Sequence, residues 1–155
     1  MRLGLILIIA ALIAVVSEAP STDLERGKAL CASLCLTCHS IHGEGVGFAP
    51  PLDGSAKRDI STLIAAVVDP NQAVESVFRA YRIETKSGAV FEGLKTGQDA
   101  QAITLTHIGG VEQEVPLADI ARAGYVDGKS TMLDAFGQLG DAELIDLIHY
   151  LRSVE

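Results

Sequence analysis

Tryptophan is absent from the 155-residue chain and aromatic residues make up only 5% of it, so the side-chain platforms on which bases stack are not there to be built. Cations are scarce as well. Twelve Lys and Arg stand against 20 Asp and Glu, a formal charge of −8, and without a basic face to neutralise phosphates nucleic acid is excluded as a partner. Three cysteines are too few for a disulfide scaffold, and none is needed: 48% of the residues are hydrophobic, enough for one ordinary domain to bury a core. Methionine is nearly missing too, and once Met1 is set aside only Met132 remains.

Long apolar runs are lacking except at the start. Arg2 precedes fourteen uninterrupted apolar or glycine residues, Leu3 to Val16, followed by Ser17-Glu18-Ala19. A charged start, an apolar run and small residues after it make residues 1–19 a signal peptide. Fourteen residues fall short of the roughly 20 that a spanning helix needs, and an uncleaved membrane anchor through residues 3–16 is the alternative. Either way residues 20–155 are expected to be exported, to a periplasmic location.

Beyond the leader the pattern predicts helices around a β-rich middle. Thr22-Asp23-Leu24-Glu25 reads as a capping box, and Leu24, Leu30 and Leu34 follow at helical spacing, so a first helix should span residues 23–35. Residues 41–55 are rich in Gly and carry Pro50-Pro51, which makes them a loop. A second helix, residues 60–68, should stop at Asp69-Pro70. From Tyr81 the period changes to two, and residues 81–85, 90–94, 102–106, 111–115 and 120–125 alternate as half-buried strands do. Leu144, Leu147, Ile148 and Leu151 lie on one face of a last helix, residues 141–154.

The chemistry is concentrated in Cys35-Leu36-Thr37-Cys38-His39. Two thiols three positions apart can each add to one vinyl group of a haem, and the adjacent His is then held at the iron as an axial ligand. Three blander readings compete: a Cys35–Cys38 disulfide, a thioredoxin-like pair, or a zinc site using Cys31, Cys35, Cys38 and His39 or His42. A thioredoxin motif belongs in a βαβ unit, which does not precede it here. A zinc site would need a second, distant ligand pair, and the chain has no further cysteine. An iron with one His needs a sixth ligand, and Met132, in the loop before the last helix, is the sole thioether left to supply it.

Gly27, then C-x-x-C-H, then Ala49-Pro50-Pro51-Leu52-Asp53-Gly54, then Met132 with Ala135-Phe136 and Leu139-x-Asp141-x-Glu143-Leu144, ending in Tyr150-Leu151, resembles a class I monohaem cytochrome c. The chain departs from the family's usual pattern at Ala49-Pro50, Met132-Leu133 and Cys31, where Gly-Pro, Met-Pro and an aromatic are common. The stretch from His39 to Met132 is long for the family, and a segment inserted at residues 81–125 accounts for the excess. That segment, with Thr85-x-Ser87-Gly88, Glu92-Gly93 and Thr104-Leu105, is similar to the planctomycete and verrucomicrobial type of haem-binding domain.

The resemblance implies a mainly α cytochrome c fold over residues 20–155, interrupted by a small antiparallel β insertion, an SH3-like barrel, between the second helix and the Met-ligand loop. It implies one covalently attached haem c on Cys35 and Cys38, with iron between His39 and Met132. The Pro50 carbonyl would accept the His39 ring N–H, and Gly27 would meet Tyr150 where the first and last helices cross. The activity implied is electron transfer, not catalysis, from a periplasmic dehydrogenase or another redox protein. The alternatives are a haem sensor or peroxidase-like protein with a labile Met ligand, or a docking subunit of a dehydrogenase complex. His42, His107 and His149 are expected to bind no metal, and Cys31, one turn before Cys35, to pack near the haem edge, the alternatives being an intermolecular disulfide or a redox-sensitive thiol.

Overall fold

The computed structural model of the chain describes residues 23–72, 74–132 and 139–155. The expected signal peptide or anchor, and the Ala135-Phe136 pair, lie outside the described residues. No helix among the described residues is long and apolar enough to cross a membrane.

Helix α1, Asp23–Leu30, opens with Asp23 and Glu25 in its first turn, where carboxylates complement the helix dipole. The helical path does not end at Leu30. It widens into a π-turn over Cys31–Cys35, closed by the Leu36 N–H donating to the Cys31 carbonyl at 3.1 Å. The loop that follows contains a two-residue hairpin, β1 Ser40–Ile41 with β2 Glu44–Gly45. Helix α2, Ile60–Val68, has the bounds read from sequence. Asp59 caps it, accepting from the N–H groups of Ser61 and Thr62 at 2.9 and 3.2 Å. Helix α3, Asp141–Leu151, stops short of the expected Val154, and the Glu143 carboxylate takes the Gly140 N–H at 3.0 Å, half of a capping box.

The middle of the chain forms one five-stranded antiparallel sheet in the order β6-β5-β4-β3-β7. Its strands are β3 Arg79–Thr85, β4 Val90–Gln98, β5 Ala102–Thr106, β6 Glu112–Pro116 and β7 Ile120–Ser130. Three hairpin connections in succession lay β3 to β6 side by side, and β7 returns to pair with the other edge of β3. Arg79 on β3 faces Ser130 on β7, so the sheet is entered and left at adjacent points.

This architecture corrects the expected fold class. The protein is not mainly α: among the described residues strands hold more of the chain than α-helices do. The first and last helices stop early, at Leu30 and Leu151, while the strands run past both ends of the 81–125 segment, back to Arg79 and on to Ser130. Nor is a closed barrel formed, because among the described residues no ladder joins the edge strands β6 and β7.

Two cores result. Cys31, Cys35, Ile41, Leu63, Val67, Leu147, Ile148, Leu151 and Val154 make the helical one, and Tyr81, Ile83, Ile103, Leu105 and Val115 make that of the sheet. Helices α1 and α3 cross at Gly27. A methyl group there would overlap the Asp146 carbonyl oxygen and stand 2.8 Å from Tyr150 Cβ, so glycine is what lets the backbones touch. Beside the crossing, Arg26 Nε donates to Asp146 at 2.7 Å, satisfying a carboxylate whose side chain is only 11% exposed.

Candidate haem-attachment site

The segment from Cys35 to His39 leaves the π-turn as a tight coil, pinned at both ends by main-chain hydrogen bonds. The N–H groups of Cys38 and His39 donate to the Cys35 carbonyl at 3.1 and 2.8 Å. Across the loop, Val46 donates to Leu36, Ala49 to Cys38 and Leu52 to Ser40, at 3.0, 3.0 and 2.8 Å. Gly45, at φ +107°, lies so close that a side chain would strike the His39 carbonyl, which is why this loop needs glycine.

His39 is held by one contact. Its Nδ1 stands 2.6 Å from the Pro50 carbonyl oxygen, and since a carbonyl can only accept, Nδ1 carries the proton. Burial holds the His39 pKa below its ordinary value, against the raising effect of the Pro50 carbonyl and with Arg58 adding to the lowering. The ring is therefore neutral at pH 7, and Nε2 is left with a lone pair.

Cys35 is buried and Cys38 half-buried, and no disulfide joins them. The contact with Cys31, then burial, then the proximity of Cys31 and Cys38 all push the Cys35 thiol far above its ordinary range. Cys31 itself is 1% exposed, packed in the helical core against Cys35, a position from which it cannot reach another molecule. Met132 is half-buried just after β7, its N–H donating to Ser130 Oγ at 3.0 Å.

Histidines 42 and 149 are exposed. His42 adopts φ +50° and donates its N–H to Asp53 at 2.9 Å. Among the described residues no group of three or more His, Cys, Asp or Glu side chains is arranged to hold a metal ion, which counts against the zinc reading.

Sequence reasoning missed how the sheet meets this site. The turn between β5 and β6 lies on the motif itself: the Gly109 N–H donates to the Thr37 carbonyl at 3.1 Å. Glycines at 109 and 110, both at positive φ, were the only available signal.

Two cysteines three positions apart, not joined to each other and followed at once by a neutral, carbonyl-anchored histidine, are the arrangement of proteins that attach a porphyrin covalently. The cytochrome c family model matches residues 24–105, more than half of the chain, and the protein belongs to that family. Its cofactor is accordingly haem c with its iron, covalently bound, and its role is electron transfer. The matched span includes Cys35, Cys38, His39 and Pro50 and ends before Met132. No curated protein matches the chain.

Proposed function

We propose that the protein is an exported, periplasmic single-electron carrier whose haem is attached at Cys35 and Cys38 and ligated by His39 and Met132. The observation that carries this reading is the 2.6 Å contact between His39 Nδ1 and Pro50. With that nitrogen committed, Nε2 is the one ring atom free to ligate, and the carbonyl fixes the ring and raises its basicity as an axial ligand.

The surroundings fit a large flat apolar group. Cys35 lies in the same core as Leu63 and Val67 of α2, while Ile60, Ile64 and Val68, four residues apart on the same helix, are left 51, 38 and 45% exposed. That stripe is apolar surface awaiting cover. When bound, the haem supplies a one-electron couple at its iron. The chain's own residues fix its orientation through two thioether positions, exclude water with the apolar cluster, and hold a thioether on Met132, whose softness favours the reduced metal and a higher potential. With His39 and Met132 both holding the iron, no position would be left for a substrate, which favours a carrier over a peroxidase-like enzyme. The leader at residues 1–19 supports export, since haem attachment of this kind takes place outside the cytoplasm. The donor on this reading is a periplasmic dehydrogenase, with residues 20–155 acting as one cytochrome unit into which the sheet is built.

Protein produced with periplasmic haem-attachment machinery should retain one haem after denaturation and extraction with acidified acetone. Met132→Ala should keep that haem but lose the near-infrared sulfur-to-iron band and gain carbon monoxide binding in the reduced state. Stoichiometric zinc without haem would refute the attachment site, and an unchanged Met132→Ala spectrum would refute the ligand.

A further inference from the structure

We propose that the surface where the β5–β6 turn meets the attachment motif is the docking face for the redox partner, and that the partner presents an apolar centre rimmed by basic side chains. This rests on the electron-carrier reading above and adds the partner's chemistry to it.

The face is assembled from two segments distant in sequence. One is the loop after Cys38, the other the turn between β5 and β6. The Gly109 N–H bonds to Thr37 inside the motif, and Gly110 packs so tightly that a methyl group there would come within 2.6 Å of Val46 Cγ1. Around this junction Val46, Ile108 and Val111 stand 45, 46 and 62% exposed. Single exposed aliphatic side chains need no explanation. Three from two segments that touch, next to the residues that carry the cofactor, form a patch that association would bury.

Charge decides what kind of partner fits. Neither residues 29–56 nor residues 96–121 contain a single Lys or Arg, and these are the two segments that meet here. They contribute Glu44, Glu112 and Glu114, all exposed. Elsewhere on the sheet most cations face carboxylates, while Lys95, over the Tyr81 ring, donates to Gln98 and Lys86 to the Ala118 carbonyl. Arg79 pairs with Asp127, Arg82 and Arg122 with Glu84, and Lys129 with Glu92. Within the two segments that form the docking face the carboxylates thus meet no cation of their own, whereas on the β3–β7 side the charges are largely paired. An anionic rim around an apolar centre steers a cationic surface to it and repels an acidic one. Contacts between redox proteins are typically small and short-lived, so this steering governs how often the pair meets.

The test uses the oxidised holoprotein and, as probe, a zinc-substituted cytochrome c of high isoelectric point, photoexcited and quenched by electron transfer. Glu44→Gln/Glu112→Gln/Glu114→Gln should lower the second-order quenching constant about tenfold at low ionic strength and flatten its salt dependence. Asp69→Asn/Glu75→Gln/Asp127→Asn removes the same charge from exposed positions elsewhere and should change the constant less than about twofold. Equal effects of the two triple variants would show that net charge alone acts, and would overturn the proposal. Ile108→Ser/Val111→Ser should weaken the complex while leaving the visible spectrum as it was. A shifted spectrum would mean that these side chains cover the cofactor instead, which also overturns it. Reduction by dithionite is measured in parallel. A holoprotein that dithionite reduces but that never quenches the probe sinks the docking face alone, whereas one that takes up no electron sinks the carrier reading itself.

Discussion

Replacing Gly27 by alanine sets two effects of known size against each other. In a helix interior the substitution normally stabilises, by about 1 kcal/mol, because alanine restricts the unfolded chain and suits the helix. Here the added methyl would overlap the Asp146 carbonyl oxygen, with the carbonyl carbon at 2.7 Å and Tyr150 Cβ at 2.8 Å. Comfortable separations are about 3.5–4.0 Å. Two of the three obstacles are main-chain atoms, so no rotamer change relieves them and α1 must retreat from α3 by roughly an ångström. Overpacking of this kind costs about 1–3 kcal/mol and sometimes more, and the retreat also strains the Arg26–Asp146 bond. The net expectation is a loss of about 2 kcal/mol, which for a chain of this size lowers the melting midpoint by about 4–8 °C. Thermal and urea melts of the holoprotein, followed by circular dichroism, measure it. Tyr150→Ala should not rescue the variant, because the main obstacle is backbone. A Gly27→Ala protein as stable as the parent would show that the two helices do not cross where the structure puts them.

Acid stability offers a second test. Hydrogen bonds from Ser61 and Thr62 hold the Asp59 carboxyl below its ordinary range, so its contribution to folding is complete above the unfolded pKa of about 3.9 and is lost as pH falls through the lower folded value. Asp59→Asn keeps the cap but removes that dependence, and melts from pH 6 to pH 2.5 should show a shallower acid limb. Gly110→Ala is expected to destabilise by about 1–2 kcal/mol, since a positive φ of +74° and the Val46 side chain both oppose a methyl there. The loss should appear as faster amide exchange at Gly109, with exchange in the interior of β4 unchanged.

Much of this could be read before the fold was seen, where punctuation was strong. Asp59 and Pro70 bracket α2 so firmly that its bounds coincide with those expected. The C-x-x-C-H spacing was legible in the residues themselves, whereas the Pro50 carbonyl and Gly27 opposite Tyr150 were expected only through the resemblance to class I cytochromes. The fold class was not, and β7 shows why. Gly124, Asp127 and Gly128 break the alternation after residue 123, yet β7 crosses an irregularity after Tyr125 and pairs with β3 again at Ser130, a tertiary pairing that overrides weak intrinsic preference. The π-turn escaped notice as well: Cys31 to Cys35 has ordinary helical composition, and only the Leu36–Cys31 hydrogen bond reveals the extra residue in the turn. The meeting of Gly109 with Thr37 leaves no periodic trace at all.

The contact between α1 and α3 also sets a timetable. Cys35 shares its core with Leu147, Ile148 and Leu151 of α3, while the five strands between them build a core of their own. A polypeptide emerging N-terminus first can therefore complete its sheet while the helical core is still missing a wall. Closing so long a loop is slow and entropically costly. Without α3 the Cys35 side chain lacks one wall of its core, and docking of that helix is what completes its burial. In such a chain a defect at Gly27 would be felt twice, in the finished protein as lost stability and during assembly as a core that closes late.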